Sequence, residues 1–579
     1  MKHLIIFSIG PVQDFIATAR RSRDLWYGSW MLSELSKAAA RAIGEPPSLG
    51  ELIFPSPANT DELKSGSQFT APNKIVALVD GKPDDVADKV NEAIKSRMSE
   101  LWEDAKSNIN KKAEFHKDKL QQRVANQQIE DLLELYWVSV PFDDSDDNNY
   151  ASAREQAEAL LAARKATRNF EQPMWSSNVP KSSLDGAHES VIPEAEYPER
   201  GDPNDEKWKK DNLPKIESLY KNYHARRGER LSGVDLLKRL GDPEKSPDFE
   251  STSDMAAIPF IQALDKDGGK GQKLLKKIRG LLPDDADKLD KADEGLIFEA
   301  RLKDEFPLQE LPDATREIFV GYLKNLPKPN PYYALLAADG DFMGKIIDGH
   351  QKKDAHQRIS SSLAEFATGA LAVVKKYQGV PIYSGGDDVL AYLPLNTVLL
   401  CALELESSFH EKMKGYAITE SGRTITPTFS IGIVVVHHLD PLSEALELVR
   451  KAEKNAKGVE GKNGLAIILS KRSGADRPIV SKFGKLYKRL ETLMALFAEK
   501  AISGGAAYEL QTLYRALLNT SIPMAREAIR IISRKRESGG QREIDPNVVQ
   551  EFMQWIDTDK IPLDELAREM IVAKELSGE

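Results

Sequence analysis

Cysteine is almost absent from this chain, with one residue, Cys401, in 579. A single thiol excludes an internal disulfide and any cysteine-rich zinc site, and it fits a reducing compartment. Long apolar runs are missing as well. No stretch approaches the ~18 apolar residues of a membrane span. The run Leu4 to Ile9 follows Lys2-His3 like a faint signal sequence but breaks at Gly10-Pro11. A cytoplasmic protein without membrane contact is therefore expected. The net charge of -10 excludes a generally basic coat for duplex DNA, though a local basic groove is compatible with it. Familiar catalytic signatures are lacking too. The nine histidines include no His-Asp dipeptide and no His-x-x-x-His pair, and there is neither a Walker-type phosphate loop nor a serine nucleophile elbow.

What is present centres on Val380 to Leu393, where two short apolar runs flank the tip Ser384-Gly385-Gly386-Asp387-Asp388. Such a pattern predicts a β-hairpin, with Gly385 and Gly386 supplying the positive φ angles of a tight turn. Neighbouring strand residues point to opposite faces, so one of the two acids is the expected ligand unless the turn or a bulge re-aims the other. Upstream, the apolar strand from Tyr332 ends on Asp339 before a helix. Placing it beside the hairpin brings Asp339 and Asp388 to one sheet edge. Carboxylates from adjacent strands, with waters and substrate phosphates, are how Mg²⁺ is usually held. Two such ions roughly 4 Å apart clamp an in-line phosphoryl displacement. The constellation points to nucleotidyl transfer.

Length alone suggests about four domains. Residues 1–142 read as β-α-β-β-α-β, a split βαβ unit, with strands at His3 to Ile9, Glu51 to Phe54, Lys74 to Val79 and Leu135 to Val140, and a helical region from Pro83 to about Asp131. Residues 331–475 repeat that order. The first copy ends its strand on Ser8-Ile9-Gly10 without an acid and has a long loop, Pro55 to Pro72, in place of the hairpin, so no catalytic metal is expected there. The tetrapeptide Phe-Ser-Ile-Gly at 7–10 and 429–432 falls on different strands by element order and is treated as chance.

In the second copy Asp440 is expected to cap a helix that Pro441 opens, with Leu442, Ala445, Leu446, Val449, Ala452 and Ala456 on its apolar face. Lys451, Lys454 and Lys457 lie on its other face. Lys457 and Lys462, near the sheet edge, are the ammonium groups placed to meet a triphosphate. Between the copies, 143–330 reads as an acidic linker followed by a mostly helical insertion, whose patches Arg164 to Arg168 and Arg226 to Arg230 suit solvated helix faces better than RNA contacts. Residues 476–579 read as a helical bundle, with an apolar stripe running from Val480 through Phe483 and Leu486 to Phe497. The fold class is thus α/β (α+β), two ferredoxin-like units with a helical insertion and tail.

The sequence resembles a known family, the large subunit of type III CRISPR effector complexes of the Cmr branch (type III-B). The resemblance rests on Ser8-Ile9-Gly10-Pro11-Val12-Gln13, Asp24-Leu25-Trp26-Tyr27-Gly28-Ser29, Ala338-Asp339-Gly340-Asp341-Phe342-Met343-Gly344 and Ser384-Gly385-Gly386-Asp387-Asp388. The helix and loop Ala445 to Asn463 are also similar to those of diguanylate cyclases, whose palm fold the family shares. The resemblance implies a palm that polymerises ATP into cyclic oligoadenylates when a guide-bearing complex captures target RNA. It implies Mg²⁺ or Mn²⁺ on Asp339, Asp387 and Asp388. Nucleotide would lie along Ser384, Gly385, Gly386, Lys457 and Lys462, with Ser8, Gly10 and Gln13 of the first palm completing a composite pocket. Implied partners are ATP, the other subunits of the effector complex, and guide and target RNA.

Two departures from the family stand out. Many relatives begin with an HD nuclease domain, whereas here the first palm begins at Met1, so HD-type cutting is not expected. Many hold zinc on cysteines where this chain has Lys181-Ser182-Ser183-Leu184-Asp185-Gly186 and Glu229-Arg230-Leu231-Ser232-Gly233-Val234, so zinc is not expected either. The competing classes are a non-catalytic scaffold of the RNA-guided complex, against which the intact acids argue, and a stand-alone diguanylate-type cyclase, against which the large helical regions argue.

Overall fold

Alternation of apolar side chains builds the first of two principal sheets. The computed structural model describes residues 2–578 except 46–47, 112–119, 144–148, 168–178, 203–204, 244–249, 283–293, 305–310, 518–523 and 535–543, and except the side chains of 13, 14, 110 and 111. The chain begins β1 (Lys2–Gly10), α1 (Gln13–Ala17), α2 (Ser22–Gly44), β2 (Gly50–Phe54), β3 (Lys74–Asp80), α3 (Pro83–Lys111), α4 (Gln122–Glu130), β4 (Glu134–Phe142) and α5 (Asn149–Ala166). The strands form an antiparallel sheet in the order β2-β3-β1-β4. Ile5, Phe7 and Ile9 face Leu35, Ala39, Val90 and Ile94 of α2 and α3, while Leu4 and Ile6 face Ala153, Ala157 and Leu161 of α5. This is the period of two that a strand buried on both faces requires.

The next helices tie the first sheet to the second. They are α6 (Glu206–Tyr223), α7 (Gly233–Leu240), α8 (Thr252–Asp265), α9 (Lys270–Arg279), α10 (Glu299–Asp304) and α11 (Asp313–Leu323). Capping boxes, Ser232 with Asp235 and Ser251 with Asp254, start α7 and α8. Leu236, Leu237 and Leu240 of α7 enter the first sheet's core, whereas Met255, Ile258 and Ile261 of α8 enter a core under the second. Arg239 is buried between Asp24 and Glu229, 2.9 Å from each. A buried guanidinium with two carboxylates keeps its charge satisfied and fixes α7 to α2.

The second sheet is formed by β5 (Tyr332–Asp341), β6 (Val380–Gly385), β7 (Asp388–Leu393), β10 (Thr428–His437), β11 (Gly464–Leu469) and β12 (Arg477–Lys482), with α12 (Met343–Gly349), α13 (Lys353–Lys376), α14 (Val398–Met413) and α15 (Leu442–Lys457) between strands. Its order is β12-β11-β10-β5-β7-β6, with β11 parallel to β10 and the other pairs antiparallel. A small hairpin, β8 (Ile418–Glu420) and β9 (Arg423–Ile425), stands apart. Within the two sheets, β4-β1-β3-β2 and β10-β5-β7-β6 are the same fourth-first-third-second arrangement, so the expected ferredoxin-like pair is present. The two Phe-Ser-Ile-Gly copies lie on β1 and β10, a first and a fourth strand.

Even-numbered β5 residues Ala334, Leu336 and Ala338 pack under α13 and α14, and odd-numbered Tyr333, Leu335 and Ala337 under α8 and α15. Ala19 and Leu25, from the first unit, join the latter core against Val380, Ile382 and Tyr392. The units also meet where Tyr150 of α5 and His356 of α13 share a 2.8 Å hydrogen bond and Lys353 pairs with Glu51 at 2.8 Å.

The tail is α16 (Phe483–Ala498), α17 (Gly504–Leu517), α18 (Met524–Arg534), α19 (Pro546–Met553) and α20 (Leu563–Leu576). It does not begin where the helical stripe suggests. Residues 477–482 extend the sheet as β12, with Ile479 facing Ile467 and buried, and Val480 turned outward. Pro478 is tolerated because this is an edge strand. Pairing with β11 outweighs the helical spacing of Val480 with Phe483. Likewise the region from Pro83 is two described helices, α3 and α4.

Candidate active site

A two-residue turn makes the site. Gly385 pairs with Asp388 across the β6/β7 hairpin, leaving Gly386 and Asp387 at the tip. Of the two glycines only Gly386 has positive φ, +71°. Gly385 is needed for another reason, since a Cβ there would lie 2.1 Å from the Tyr383 hydroxyl. Asp388 sits opposite Asp339 in the β5/β7 register. Gly340 donates its N-H to the Asp387 carbonyl at 3.0 Å, and a Cβ on Gly340 would come within 2.8 Å of the Asp387 Cβ. That close approach draws the turn over the end of β5. Asp339, Asp387 and Asp388 each offer an oxygen, and these oxygens lie within 4.8 Å of one another. Both acids of the tip therefore reach the site, the turn having re-aimed Asp387.

Burial and crowding raise the proton affinity of the two acids at the tip. Asp387 is pushed up to about 7 by burial and then by the charge of Asp339. Asp388 is raised well above the ordinary carboxylate range by burial, with Asp387 and Asp339 adding to it. A cluster of oxygen donors that resists full ionisation alone is relieved by a dication, and all-oxygen sets suit Mg²⁺ or Mn²⁺. The residues present fit that group.

Lys457, in the last turn of α15, holds its Nζ 2.7 Å from Asp339 Oδ2 and 3.1 Å from Glu453 Oε1. Burial alone would lower its pKa, but Asp339 and Glu453 outweigh this and raise it. Lys462 reaches the neighbouring acid instead, 3.8 Å from Asp341 Oδ1, with its Nζ 4.7 Å over the Phe342 ring. Asp341 is fully buried. Its Oδ2 accepts from Thr428 Oγ1 and Ser430 Oγ, each at 2.8 Å, and from the Asn463 N-H at 3.0 Å. It thereby pins the loop Gly461-Lys462-Asn463, whose φ angles are +67°, +51° and +50°. Sequence reasoning passed over Asp341 and Glu453. The spacing of Asp341, two residues from Asp339 and so on the same sheet face, was the available signal for the first, and the i,i+4 spacing of Glu453 and Lys457 for the second.

Other expected residues fall elsewhere. Ser384 is buried and its hydroxyl donates to the Ala367 carbonyl of α13 at 2.9 Å. The register shift between Pro381 and Tyr383 turns it toward the helix, so the backbone at Gly386, where an added Cβ meets nothing within 4 Å, is the open part of the tip. Asp440 does not cap α15, which starts after Pro441. Its carboxylate accepts from the His437 N-H and from Arg472 Nε, each at 3.1 Å. Ser8 and Gly10 lie at the end of β1 in the first sheet, and no described contact joins them to the triad. Gln13 lies outside the described side chains. Arg230 is held by Glu194 at 2.6 Å and stacks 3.6 Å over Tyr197, and Arg164 bonds the Thr167 carbonyl at 3.0 Å, both structural roles. Arg168 is outside the described residues. The two serine segments do meet: Ser182 and Ser232 hydroxyls each lie 2.7 Å from Asp235 Oδ2.

Two family models match. Residues 332–466 match the model described as Cas10/Cmr2, second palm domain, and residues 4–106 that of CRISPR-associated protein Cmr2, N-terminal. The CRISPR system Cmr subunit Cmr2 of Pyrococcus furiosus is similar at 26% identity, covering 82% of this chain and 62% of that protein, so the chain spans about three fifths of this relative's length. Among solved structures, an apo type III-B Cmr-beta complex matches with a TM-score of 0.68 at 16% identity, covering 94% of this chain and 78% of the other. Type III-B Cmr-beta bound to cognate target RNA matches with a TM-score of 0.63 at 15% identity, covering 94% and 79%. At these identities the structural likeness is one of fold.

Proposed function

We propose that this chain, which carries the Cmr2 N-terminal domain and the Cas10/Cmr2 second palm domain, is the ATP-polymerising subunit of a cytoplasmic type III-B RNA-guided complex. Its product is a cyclic oligoadenylate. The observation that carries the reading is the convergence of Asp339, Asp387 and Asp388 on one sheet edge beside Lys457. A scaffold has no need of three crowded acids that destabilise one another. Among the described residues no helix is long and apolar enough to cross a membrane.

The three carboxylates would hold Mg²⁺ or Mn²⁺, which supplies positive charge where phosphate oxygens gain negative charge during in-line displacement. Lys457 and Lys462 bring ammonium groups to the triphosphate of the activated nucleotide. Gly386 lets substrate approach the turn backbone. The first palm holds the second nucleotide near Ser8, Gly10 and Gln13, so that its ribose hydroxyl meets the α-phosphorus of the first and pyrophosphate leaves. Holding both reactants in reach of one another adds the acceleration that proximity gives. Residues 1–142 and 331–475 would be the two palms, with β12 joining the second, 143–330 the insertion, and the remaining helices the tail.

The test is to incubate the assembled complex with ATP, Mg²⁺ or Mn²⁺ and RNA matching its guide, then identify products by mass. Cyclic adenylate oligomers dependent on the matching RNA support the reading. Unchanged ATP, or cyclic dinucleotides made by the chain alone, refutes it.

A further inference from the structure

Lys457 serves two anions of different kinds. Asp339 belongs to the carboxylate cluster, whereas Glu453, one turn earlier on α15, stands outside it. The helix that carries both cannot drift. A Cβ on Gly432 would lie 2.1 Å from the Glu453 nitrogen, and one on Gly464 2.1 Å from the Ala456 carbonyl oxygen, so α15 rests backbone against backbone on β10 and β11. Any movement of the ammonium must come from the lysine's own torsions. Lys457 and Asp339 side chains are 29% and 26% exposed, so an ion from solvent can reach the pair.

We propose that Lys457 is the counter-ion of the metal-free cluster, displaced from Asp339 by the incoming divalent cation and received by Glu453, which makes metal entry and release of this ammonium toward triphosphate one exchange. The inference rests on the assignment of the carboxylates to a metal. An ammonium in contact with Asp339 Oδ2 and a dication ligated by the same carboxylate repel each other at short range, where water screens little. Glu453 already shares the ammonium, so the exchange breaks one of two existing contacts instead of returning a bare cation to water. Thermodynamic linkage then requires reciprocity: whatever holds Lys457 away from Asp339 tightens metal binding, and bound metal makes Lys457 more available to phosphate. Glu453 is thus a positioning residue, acting through Lys457.

The experiment titrates Mn²⁺ into the full chain without nucleotide, following free Mn²⁺ by electron paramagnetic resonance. Lys457→Met should bind Mn²⁺ about twofold to fivefold more tightly than the parent, the scale of one partly exposed ion pair. Glu453→Gln should bind it more weakly, since the ammonium then has Asp339 as its remaining anchor. Asp388→Asn is the control on the metal assignment. Tightening by Lys457→Met together with weakening by Glu453→Gln supports the exchange. If Asp388→Asn abolishes Mn²⁺ binding while Lys457→Met leaves it unchanged or weaker, the metal site stands and the exchange is wrong. If Asp388→Asn has no effect, the metal assignment falls and the exchange with it.

Discussion

The two palms place opposite charges at the same point of the same fold. In each sheet the pairing of the first and third strands ends on the side where the second palm has its site. In the second palm the final pair is Asp339 with Asp388, and in the first it is Ser8 with Lys74. The helix that follows the fourth strand crosses the same face in both, and it too is inverted. On α15 it supplies Lys457 to a strand acid, whereas on α5 it supplies Glu158 to the strand base Lys74. A lysine in the ladder and an acid on the helix reverse the charges that the second palm presents at that point. What the pair teaches is that the backbone sets where a charge can act and a few side chains set its sign.

The contrast breaks most completely if the second palm is neutralised. Replacing Asp339 or Asp388 by Asn removes a main electrostatic contributor and should lower oligonucleotide synthesis roughly a hundredfold or more, read as product per unit time by the assembled complex. The double variant should lose little beyond the worse single one, because the acids act as a unit.

A smaller effect is expected at Gly10. An added Cβ there meets no atom nearer than 3.9 Å, so Gly10→Ala should fold, and Gly10→Leu is read beside it in preparations shown by their melting to be folded. If the first palm holds the second nucleotide, Gly10→Leu slows bond formation by about ten- to a hundredfold while Mn²⁺ and single-ATP binding at the second palm stay within about twofold. Product at the parental rate would make the first palm a spacer.

Asp387→Asn tests the crowding itself. The carboxyl is pushed up from 3.8 to about 7 in the fold, so its ionised form destabilises the metal-free protein. That penalty is nil below 3.8, grows as pH rises toward 7 and is complete above it. Metal-free Asp387→Asn should therefore melt higher than the parent at alkaline pH, by about 2–4 °C for each ~1 kcal/mol relieved, with the gap closing as the pH falls. A gap independent of pH would contradict the assignment. The least effect belongs to the first palm's inverted pair. Lys74→Ala removes a contact between half-exposed partners, worth about 0.2–1 kcal/mol, and should leave synthesis within about twofold while lowering Tm slightly.

Much of this was legible in the sequence because it depends on period and turn composition. The apolar run ending on Asp339, the Gly-Gly tip, the α15 stripe and the repeated strand order are local patterns, and once the strand is set beside the hairpin they bring Asp339 and Asp388 to one sheet edge, where the structure pairs them directly. What escaped depends on a few ångströms of three-dimensional fit. Gly385 reads as a second positive-φ glycine, yet what demands glycine there is the Tyr383 hydroxyl. A register shift in β6 sends Ser384 to α13, and no periodicity reports a bulge. β12 hides inside a helical stripe because three residues of apolar spacing fit either structure. Glu453 looks like one more solvated acid until the contact at Gly432 fixes its helix against β10.

The most direct measurement is synthesis by the assembled complex carrying both Asp339→Asn and Asp388→Asn, with ATP, Mg²⁺ or Mn²⁺ and matching RNA, in preparations shown to retain all subunits and to bind that RNA. No oligoadenylate above background is expected from this variant beside ready synthesis by the parent. Oligoadenylate at the parental rate would place the chemistry away from the second palm's acids and contradict their assignment.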